Sequence, residues 1–573
     1  MEMVATTEVG PGEDLIPPLV PIAYSLHDSF ITSHCASCFS ILPHNPFGSL
    51  DQSLLYCSPS CSSSHSPLHI SSGSHNLSVY KEETSDLRVA LLLLLQIKRQ
   101  NISFKSYDRL CGLMTNRHKL LDDHEISTRI KNGARAMGTA ISITNGSLDT
   151  DSLLVEAVYC AVITNAVEIQ DKIGRSVGIA LYDTRFSWIN HSCSPNSCYR
   201  FLMSENECGN QRCLITPVSS NGSKISTTSD FQTGLVDVCG GPRIVVRSIK
   251  AIKKGDPVTV TYIGLLQPKE LRQFELWFKY RFTCFCHRCV AVPLTYIDQL
   301  LQEICYANEN GNFLQNVGVE SFTDYINDAI DDYLTSNDAE SCRKKLEDVL
   351  LKGFRYEQLI LRLHPLNHLS LNAYTTLAST YKTRAITLED ENALKWSVAY
   401  LLLLAFATHN LFLSESSLIA SVSTFWIATG ELLLYITKTA VSSDITNSSM
   451  RCSKCKLIDI FDTKFDPNKL LDISSDFLGC VTDITPIVWK FVSHGNRYLE
   501  TIKDPSDSRW FETSLESVTT NRLRDVEAIM EGEERVALFW LGFHFLLYGG
   551  ILSNIFSDHD SHLSCNVRNL LNL

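Results

Sequence analysis

The order of apolar and polar positions divides the chain into a mixed first half and a helical second half. Residues 4–26 alternate short apolar groups with glycine and proline, which favours short strands and turns. Residues 87–165 contain leucine-rich and Ala/Val/Ile-rich stretches without proline, which predicts a helical insert. The β-branched, turn-bounded segments 177–181, 243–249 and 258–262 then predict a sheet.

Longer segments complete this pattern. Residues 204–242 are rich in Ser, Thr, Gly and Asn, so we expect a long mobile loop there. After Cys289, the amphipathic segments 339–361, 369–381 and 393–413 predict helices. The apolar runs 87–97 and 536–552 are short or borderline for a membrane about 30 Å thick, and we predict a buried helix for each.

Composition limits the classes of function. The chain has 573 residues, 44% of them hydrophobic, so it can form several domains with substantial cores. Its net charge of -13 argues against direct binding to nucleic-acid phosphates. The first residues show no secretory signal, so an intracellular protein is expected, with nucleus and cytoplasm both open. In that reducing setting, 20 cysteines indicate thiolate metal ligands rather than disulfides.

The most informative constellation begins with Asn190-His191-Ser192-Cys193, a polar run that directly follows an apolar segment. Downstream, Val258-x-Val260-x-Tyr262 precedes a segment that reads Tyr280-x-Phe282-x-Cys284-x-Cys286-x-x-Cys289. Three cysteines at this spacing lack one thiolate for a tetrahedral zinc site, so a fourth must come from elsewhere. The alternative is that these cysteines are buried thiols.

This series resembles the SET domain and its trailing cysteine segment, in particular that of the SET-and-MYND family. The resemblance implies a protein-lysine N-methyltransferase that uses S-adenosylmethionine, acts on a lysine of a histone or another protein, and is a monomer that needs no membrane. Cys193 would be the fourth zinc ligand beside Cys284, Cys286 and Cys289. Tyr262 and Tyr280 would line the lysine channel, although either can be an ordinary core tyrosine. The residues implied to contact the cofactor are Asn165, Asn190, His191, Tyr262 and Phe282, with a helix cap as the alternative for Asn165.

A second cysteine group, made of Cys35, Cys38, Cys57 and Cys61, has a spacing adequate for one zinc. It resembles half of a MYND finger, because the family's second and fourth ligand pairs are missing. His44, His65 and His69 either complete a second metal site or form a solvated His-rich loop, and we favour the loop. The pair Cys452 and Cys455 stays unassigned.

The resemblance has one gap, which concerns the amino-terminal Gly-x-Gly turn that approaches the cofactor in SET proteins. Residues 3–13 resemble the part after that turn, so the chain is expected to begin too late to include it. This leaves an alternative in which the chain is a catalytically weak or inactive SET-fold scaffold that binds protein partners.

Together these observations predict an α+β protein with a SET β-fold, a helical insert, cysteine-rich zinc segments and a helical domain similar to tetratricopeptide repeats. No regular repeat period is found, so helix pairs are predicted without a repeat count. The predicted regions are the first part of SET (1–34), a degenerate MYND-like finger (35–75), the helical insert (76–165), the SET core (166–265), the trailing zinc segment (266–292) and the helical domain (293–573).

Overall fold

The chain forms two compact units, and a computed structural model describes most of it. The described residues are 2–48, 53–79, 83–145, 151–171, 174–203, 212–218, 240–308, 318–336, 338–439, 457–462, 469–507, 532–557 and 561–571. The first unit comprises Met1–Ile263 with Arg272–Cys286, and the second comprises Gly264–Leu271 with His287–Leu573. The first mixes strands and helices and the second is mainly helical, which confirms the predicted α+β class with a helical C-terminal region.

Short strands dominate the first unit. In chain order they are β1 (Glu2–Ala5), β2 (Ala23–Leu26), β3 (Phe47–Gly48), β4 (Leu55–Tyr56), β5 (Arg109–Leu110), β6 (Leu113–Met114), β7 (Val167–Gln170), β8 (Ser176–Leu181), β9 (Asn190–His191), β10 (Ser197–Leu202), β11 (Ile215–Val218), β12 (Arg243–Ser248) and β13 (Thr259–Val260). The helices are α1 (Pro59–Ser72), α2 (Ser85–Arg99), α3 (Arg117–Leu121), α4 (His124–Asn145), α5 (Ser152–Asn165), α6 (Thr184–Ser187) and α7 (Lys269–Tyr280).

The strands pair in several small sheets rather than in one large sheet. β2, β8 and β7 form a three-stranded antiparallel sheet, in that order. β10 pairs with β12 and β1 with β11, both antiparallel, whereas β9 and β13 run parallel. Backbone bonds from Leu15 and Leu19 to Val246 and Ile244 also tie the amino-terminal segment to β12. The expected strands and turns of residues 4–26 are therefore present, and their apolar side chains join the core of this unit.

Two departures from the sequence predictions concern the segment 204–242 and the helical insert. The segment 204–242, expected to be one loop, contains strand β11, in which Ile215 pairs with Ala5. The other parts of this segment, 204–211 and 219–239, lie outside the described residues. Within the predicted helical insert, Leu110 and Leu113 lie on a β5–β6 hairpin between α2 and α3. Helix α2 itself is buried, as predicted for 87–97.

Helices make up most of the second unit. They are α8 (His287–Val290), α9 (Tyr296–Gln302), α10 (Val319–Ser336), α11 (Ala339–Lys352), α12 (His368–Leu388), α13 (Glu391–Ser414), α14 (Ile419–Thr439), α15 (Leu457–Asp462), α16 (Leu470–Val481), α17 (Thr485–Val492), α18 (Gly532–Phe556) and α19 (His562–Leu571). Strands β14 (Ile304–Asn308), β16 (Leu359–Leu363) and β15 (Phe354–Tyr356) form a small antiparallel sheet. The single helix predicted for 339–361 is therefore wrong beyond Lys352, where Gly353 adopts a positive φ of 78° and the chain turns into β15.

Three described helices are long and apolar enough to cross a membrane by length and composition: Glu391–Ser414, Ser416–Thr437 and Glu534–Phe556. The fold buries 78%, 61% and 78% of their most apolar windows, respectively. The third includes the run 536–552, whose buried side chains pack against α14.

The carboxylate of Glu347 accepts three hydrogen bonds from buried side chains inside the second unit. One oxygen of Glu347, on α11, accepts hydrogen bonds from the hydroxyls of Tyr381 and Tyr400 at 2.7 and 2.8 Å. The side-chain amide of Asn496 donates to the same oxygen at 2.7 Å. Because Tyr381, Tyr400 and Asn496 are all buried, removal of this acceptor would leave three donors without a partner.

We therefore expect Glu347→Ala to lower the free energy of unfolding by about 2–4 kcal/mol. Urea denaturation followed by circular dichroism measures this change. The neighbouring variant Asp348→Ala is the control, because Asp348 makes a solvent-exposed ion pair with Lys352 and its removal should cost less than about 1 kcal/mol. Equal losses for the two variants would contradict the role assigned to Glu347.

Candidate active site and cysteine clusters

The motif that begins at Asn190 forms strand β9, held beside β13 by a short parallel ladder. Asn190 lies opposite Thr259, and His191 opposite Val260. The backbone N–H of Ser192 donates to the carbonyl of Val260 at 3.0 Å, which continues the ladder. This pairing brings the motif next to Tyr262, two residues beyond the end of β13.

Two contacts determine the tautomer of His191. The backbone N–H of Tyr262 donates to Nδ1 of His191 at 3.0 Å, so Nδ1 carries no proton. Nε2 is then the protonated nitrogen, and it lies 3.2 Å from the Sγ atom of Cys193, to which it donates. Burial lowers the pKa of His191 to about 4, so the ring is neutral at physiological pH. Both ring nitrogens are thus engaged within the protein.

His191 and three aromatic residues form one cluster. The ring centroid of His191 lies 5.4 Å from that of Tyr262 and 6.1 Å from that of Phe282. Tyr262 is 5.1 Å from Tyr280 and meets Phe282 edge-on at 6.4 Å. Each of these three aromatic side chains is only partly buried, and Asn190 beside them is exposed. The cluster therefore presents ring surface and an amide to a ligand.

The two tyrosine hydroxyls donate to backbone carbonyls. The Tyr262 hydroxyl donates to the carbonyl of Ile189 at 2.6 Å, and the Tyr280 hydroxyl to that of Tyr262 at 3.4 Å. Burial raises the pKa of both tyrosines well above the usual range, so the hydroxyls stay protonated and uncharged. Their oxygen lone pairs remain the polar groups that can accept a hydrogen bond from a ligand.

A sharp turn after α7 places Phe282 in this cluster. Arg281 has a positive φ of 59°, a conformation that is costly for a residue with a side chain. Its guanidinium pairs with Asp123 at 3.1 Å, and the amine of Lys119 donates to its carbonyl at 3.1 Å. The side-chain amide of Asn116 donates to the carbonyl of Tyr280 at 3.1 Å. The α3 region therefore holds the turn in its strained conformation.

Cys193, Cys284, Cys286 and Cys289 bring their sulfur atoms together. All four lie within 4.8 Å of one another, although Cys193 is far from the others in sequence. The backbone N–H of Cys286 donates to Sγ of Cys284 at 3.4 Å. The side-chain amide of Gln273 accepts from the backbone N–H of Cys284 and donates to the backbone carbonyl of Cys284. Four converging thiols match the donor set of a closed, structural zinc site.

Cys35, Cys38, Cys57 and Cys61 form a second group of the same kind, also within 4.8 Å of one another. Sγ of Cys38 lies 3.5 Å from Sγ of Cys57, which lies 3.7 Å from Sγ of Cys61. A tetrahedral zinc with Zn–S bonds of about 2.3 Å requires sulfur atoms about 3.8 Å apart, so these distances suit the metal. A hydrogen bond from the Cys35 thiol lowers the pKa of Cys38, which favours a thiolate in the group.

Comparison with known proteins decides the family. The chain is 36% identical over 593 residues to Protein SET DOMAIN GROUP 41 of Arabidopsis thaliana. The alignment covers 99% of this chain and 100% of that protein. The chain belongs to the SET-domain family. No family model matches the chain.

Shorter matches point to the SET-and-MYND branch of that family. Human Histone-lysine N-methyltransferase SMYD3 is 27% identical over 131 residues, 23% of this chain and 22% of SMYD3. Human N-lysine methyltransferase SMYD2 is 26% identical over 167 residues, 29% of each chain. These relatives and the two cysteine groups confirm the resemblance to SET-and-MYND lysine methyltransferases with a reduced finger.

The structure brings some of the predicted site residues of this SET protein into contact with one another, but not all of them. His191, Tyr262, Tyr280 and Phe282 form one cluster, with Asn190 adjacent on β9. Asn165 is the last residue of α5, and its amide donates to the carbonyls of Met114 and Ala161, both at 2.7 Å. These bonds match the alternative prediction for Asn165, a helix cap. A cofactor contact for Asn165 stays a prediction.

The prediction that the histidines of the finger region lie in a solvated loop is wrong for two of the three. His65 and His69 lie one turn apart on α1 and are each only 4% exposed, whereas His44 is exposed. The Tyr56 hydroxyl lies 3.1 Å from Nδ1 of His65, and Ser53 Oγ lies 3.0 Å from Nε2 of His69. The Ser-rich composition concealed a helix because its fully buried positions are histidines and serines rather than large apolar residues. The pair Cys452 and Cys455 lies outside the described residues.

Sequence reasoning missed several residues that hold the site. Asn116, Lys119 and Asp123 position the turn at Arg281, and only their place in the polar α3 region distinguishes them in the sequence. Asn196 carried a clearer signal, because it is the last residue of the motif Asn190–Asn196, but no role was predicted for it. Its side-chain oxygen accepts from the backbone N–H of Thr259 at 2.9 Å, and its amide donates to the carbonyl of Pro257 at 2.8 Å.

We expect purified protein to contain two zinc ions per chain, because each cysteine group offers a complete tetrahedral donor set. Inductively coupled plasma mass spectrometry measures the content. Cys57→Ser and Cys286→Ser should each lower it to one ion, whereas Cys213→Ser, in an exposed cysteine outside both groups, should leave two. One ion in the unaltered protein would mean that the finger is empty.

Proposed function

We propose that this chain is a protein-lysine N-methyltransferase that uses S-adenosylmethionine. The observation that carries the proposal is the cluster of His191, Tyr262, Tyr280 and Phe282 beside the exposed Asn190. Bound at this cluster, S-adenosylmethionine would supply the methyl group on an electrophilic sulfonium. The target is a lysine on a protein, and the site of action is inside the cell, in the nucleus or the cytoplasm.

The donor set beside β9 suits the cofactor. Phe282 offers a partly exposed ring face to the adenine, and Asn190 offers an exposed amide that can both donate and accept. The ring nitrogens of His191 are already engaged with Tyr262 and Cys193, so His191 acts as a positioning residue or through its ring face and backbone. Asn165 and Tyr262 complete the proposed set of cofactor contacts.

The two tyrosines suit the amine of a lysine. Methyl transfer requires a neutral amine in line with the bond that breaks, and an apolar channel disfavours the charged ammonium. Because the hydroxyls of Tyr262 and Tyr280 donate to backbone carbonyls, their oxygens are oriented to accept an N–H from the amine. This would hold the nitrogen lone pair in line while the aromatic rings exclude water.

The relatives support a protein substrate. SMYD3 carries the name histone-lysine N-methyltransferase and SMYD2 the name N-lysine methyltransferase. The net charge of -13 favours a basic polypeptide over nucleic acid as the partner of this chain. We propose a monomeric enzyme that takes a lysine from a histone or from another basic protein segment.

Isothermal titration of the full, zinc-loaded chain with S-adenosylmethionine tests the proposal. We expect saturable binding, and methyl transfer to a protein substrate detected by mass spectrometry. Tyr262→Phe should lower the rate of transfer at least tenfold while changing cofactor affinity less than threefold, because the hydroxyl acts on the amine.

Tyr296→Phe serves as the matched control, because Tyr296 is an exposed tyrosine outside the cluster and its loss should leave the rate unchanged. Absence of cofactor binding at millimolar concentration would contradict the enzyme and favour the alternative of a SET-fold scaffold that binds proteins without turnover.

A further inference from the structure

A hairpin of the helical insert lies beside three of the segments that form the proposed active site. Its strands, β5 and β6, are joined by Cys111 and Gly112, which have positive φ angles of 50° and 83°. Two such residues in a row are typical of the tight turn that joins neighbouring antiparallel strands. Leu110 and Leu113 are 0% and 1% exposed and belong to the core of the insert, so the hairpin is anchored there.

The tip of the hairpin contacts the residues that lead into the Asn190 motif. The carbonyl of Gly112 accepts a hydrogen bond from Nε1 of Trp188 at 2.9 Å, and Trp188 lies two residues before Asn190. A Cβ atom at position 112 would collide with the side chain of Thr184 and lie 3.3 Å from the ring of Trp188. Glycine is therefore required here both for the turn and for this close approach.

The second strand of the hairpin holds the end of α5. The carbonyl of Met114 accepts from the side-chain amide of Asn165 at 2.7 Å, and the carbonyl of Thr115 accepts from the hydroxyl of Thr164 at 3.1 Å. Thr115 is fully buried, and its own hydroxyl donates to the carbonyl eight residues before it at 2.7 Å. The hairpin thereby fixes the place of Asn165, a proposed cofactor contact.

The residue that follows the hairpin reaches the segment of the lysine channel. Asn116 has a positive φ of 48°, and its side-chain amide donates to the carbonyl of Tyr280 at 3.1 Å. Residues 112–116 are thus hydrogen-bonded to three segments that are remote from one another in sequence, those of Asn165, Trp188 and Tyr280.

Such a connection matters for methyl transfer because the reaction depends on alignment. The amine must approach in line with the bond that breaks, and a misplacement of about 1 Å can lower the rate about 100-fold. In the proposed site, Asn165 and Asn190 lie on the cofactor side, and Tyr280 lies on the lysine side. A segment that is bonded to both sides sets the distance between them.

We propose that residues 112–116 are a positioning segment, which holds the cofactor contacts and the lysine channel at the separation that methyl transfer requires. This inference rests on the proposed function. Its positioning residues are Gly112, Asn116 and Trp188, which act through Asn190 and Tyr280 rather than by touching the reacting atoms.

Asn116→Gly tests the segment with little disturbance of the backbone, because glycine keeps the positive φ and only the amide is lost. With purified core histones as the probe substrate of the full, zinc-loaded chain, kcat should fall at least about fivefold, whereas KM for S-adenosylmethionine should rise less than about twofold. Asn101→Gly is the matched control, because Asn101 is exposed, has a positive φ of 51° and lies on the loop after α2. It should change neither constant.

Trp188→Phe tests the contact at the tip of the hairpin. The carbonyl of Gly112 also accepts from the guanidinium of Arg109 at 3.0 Å, so this variant does not leave that carbonyl without a partner. We expect the same fall in kcat with little change in KM. If the segment acts as one rigid body, the double variant with Asn116→Gly should lose less rate than the product of the two single losses.

Hydrogen exchange followed by mass spectrometry provides a readout that needs neither cofactor nor substrate. Asn116→Gly should raise the exchange rate of the backbone amides of residues 280–283 at least about fivefold, because the turn loses its bond to the hairpin, and Asn101→Gly should leave that rate unchanged. Unchanged exchange at residues 280–283, or an unaltered kcat in a chain that transfers methyl groups, would overturn the proposal. Failure of the unaltered chain to bind S-adenosylmethionine would instead contradict the proposed function, and the exchange rates would still decide whether residues 112–116 hold these segments.

Discussion

The meeting of Cys193 with Cys284, Cys286 and Cys289 is the constraint on which the candidate active site depends. These thiols come from segments far apart in sequence, and their convergence fixes the end of β9 against the chain that follows α7. His191 donates to Cys193 and accepts from the backbone N–H of Tyr262, so the same arrangement sets the tautomer of the histidine and the position of the tyrosine. A structural metal at the thiols would thus stabilise the aromatic cluster without touching a substrate.

The turn at Arg281 has an unfavourable backbone conformation that the surrounding structure stabilises. A positive φ at a residue with a side chain is unfavourable, and it is maintained by Asp123, Lys119 and Asn116. In return, the turn after α7 lets Tyr280 contact Tyr262 and lets Phe282 contact both His191 and Tyr262. The helical insert therefore contributes to the site through α3 and the residues on either side of it.

The helical unit contains two buried polar groups with opposite characters. Glu347 is surrounded by three donors, so its carboxylate satisfies Tyr381, Tyr400 and Asn496 and stabilises the packing of helices. His409 lies in an aromatic shell, and both of its ring nitrogens are without a partner among the residues that the structure describes. The first arrangement is complete within the protein, whereas the described residues supply no partner to the ring nitrogens of His409.

The sequence by itself determined the chemistry of the site. The run that begins at Asn190, the tyrosines Tyr262 and Tyr280, and the two cysteine groups were all recognisable because ligand spacing and aromatic positions are local properties of the chain. The periodicity of α12 and α13 was likewise local, and their predicted positions were confirmed. Local patterns did not predict strands that pair with a distant segment. Strand β11 forms because Ile215–Val218 pairs with β1, and the composition of residues 204–242 does not indicate that partner.

Only the tertiary structure decided which polar atoms are satisfied. Sequence spacing cannot show that both nitrogens of His191 are engaged, that the amide of Asn165 caps two carbonyls, or that His65 and His69 are buried on a helix. Nor can it separate His544, whose Nδ1 donates to a carbonyl of its own helix, from His409, whose ring nitrogens have no partner among the described residues. Hydrogen bonding and burial depend on neighbours that folding brings together from remote parts of the chain, so the residue types were set by the sequence and their roles by the fold.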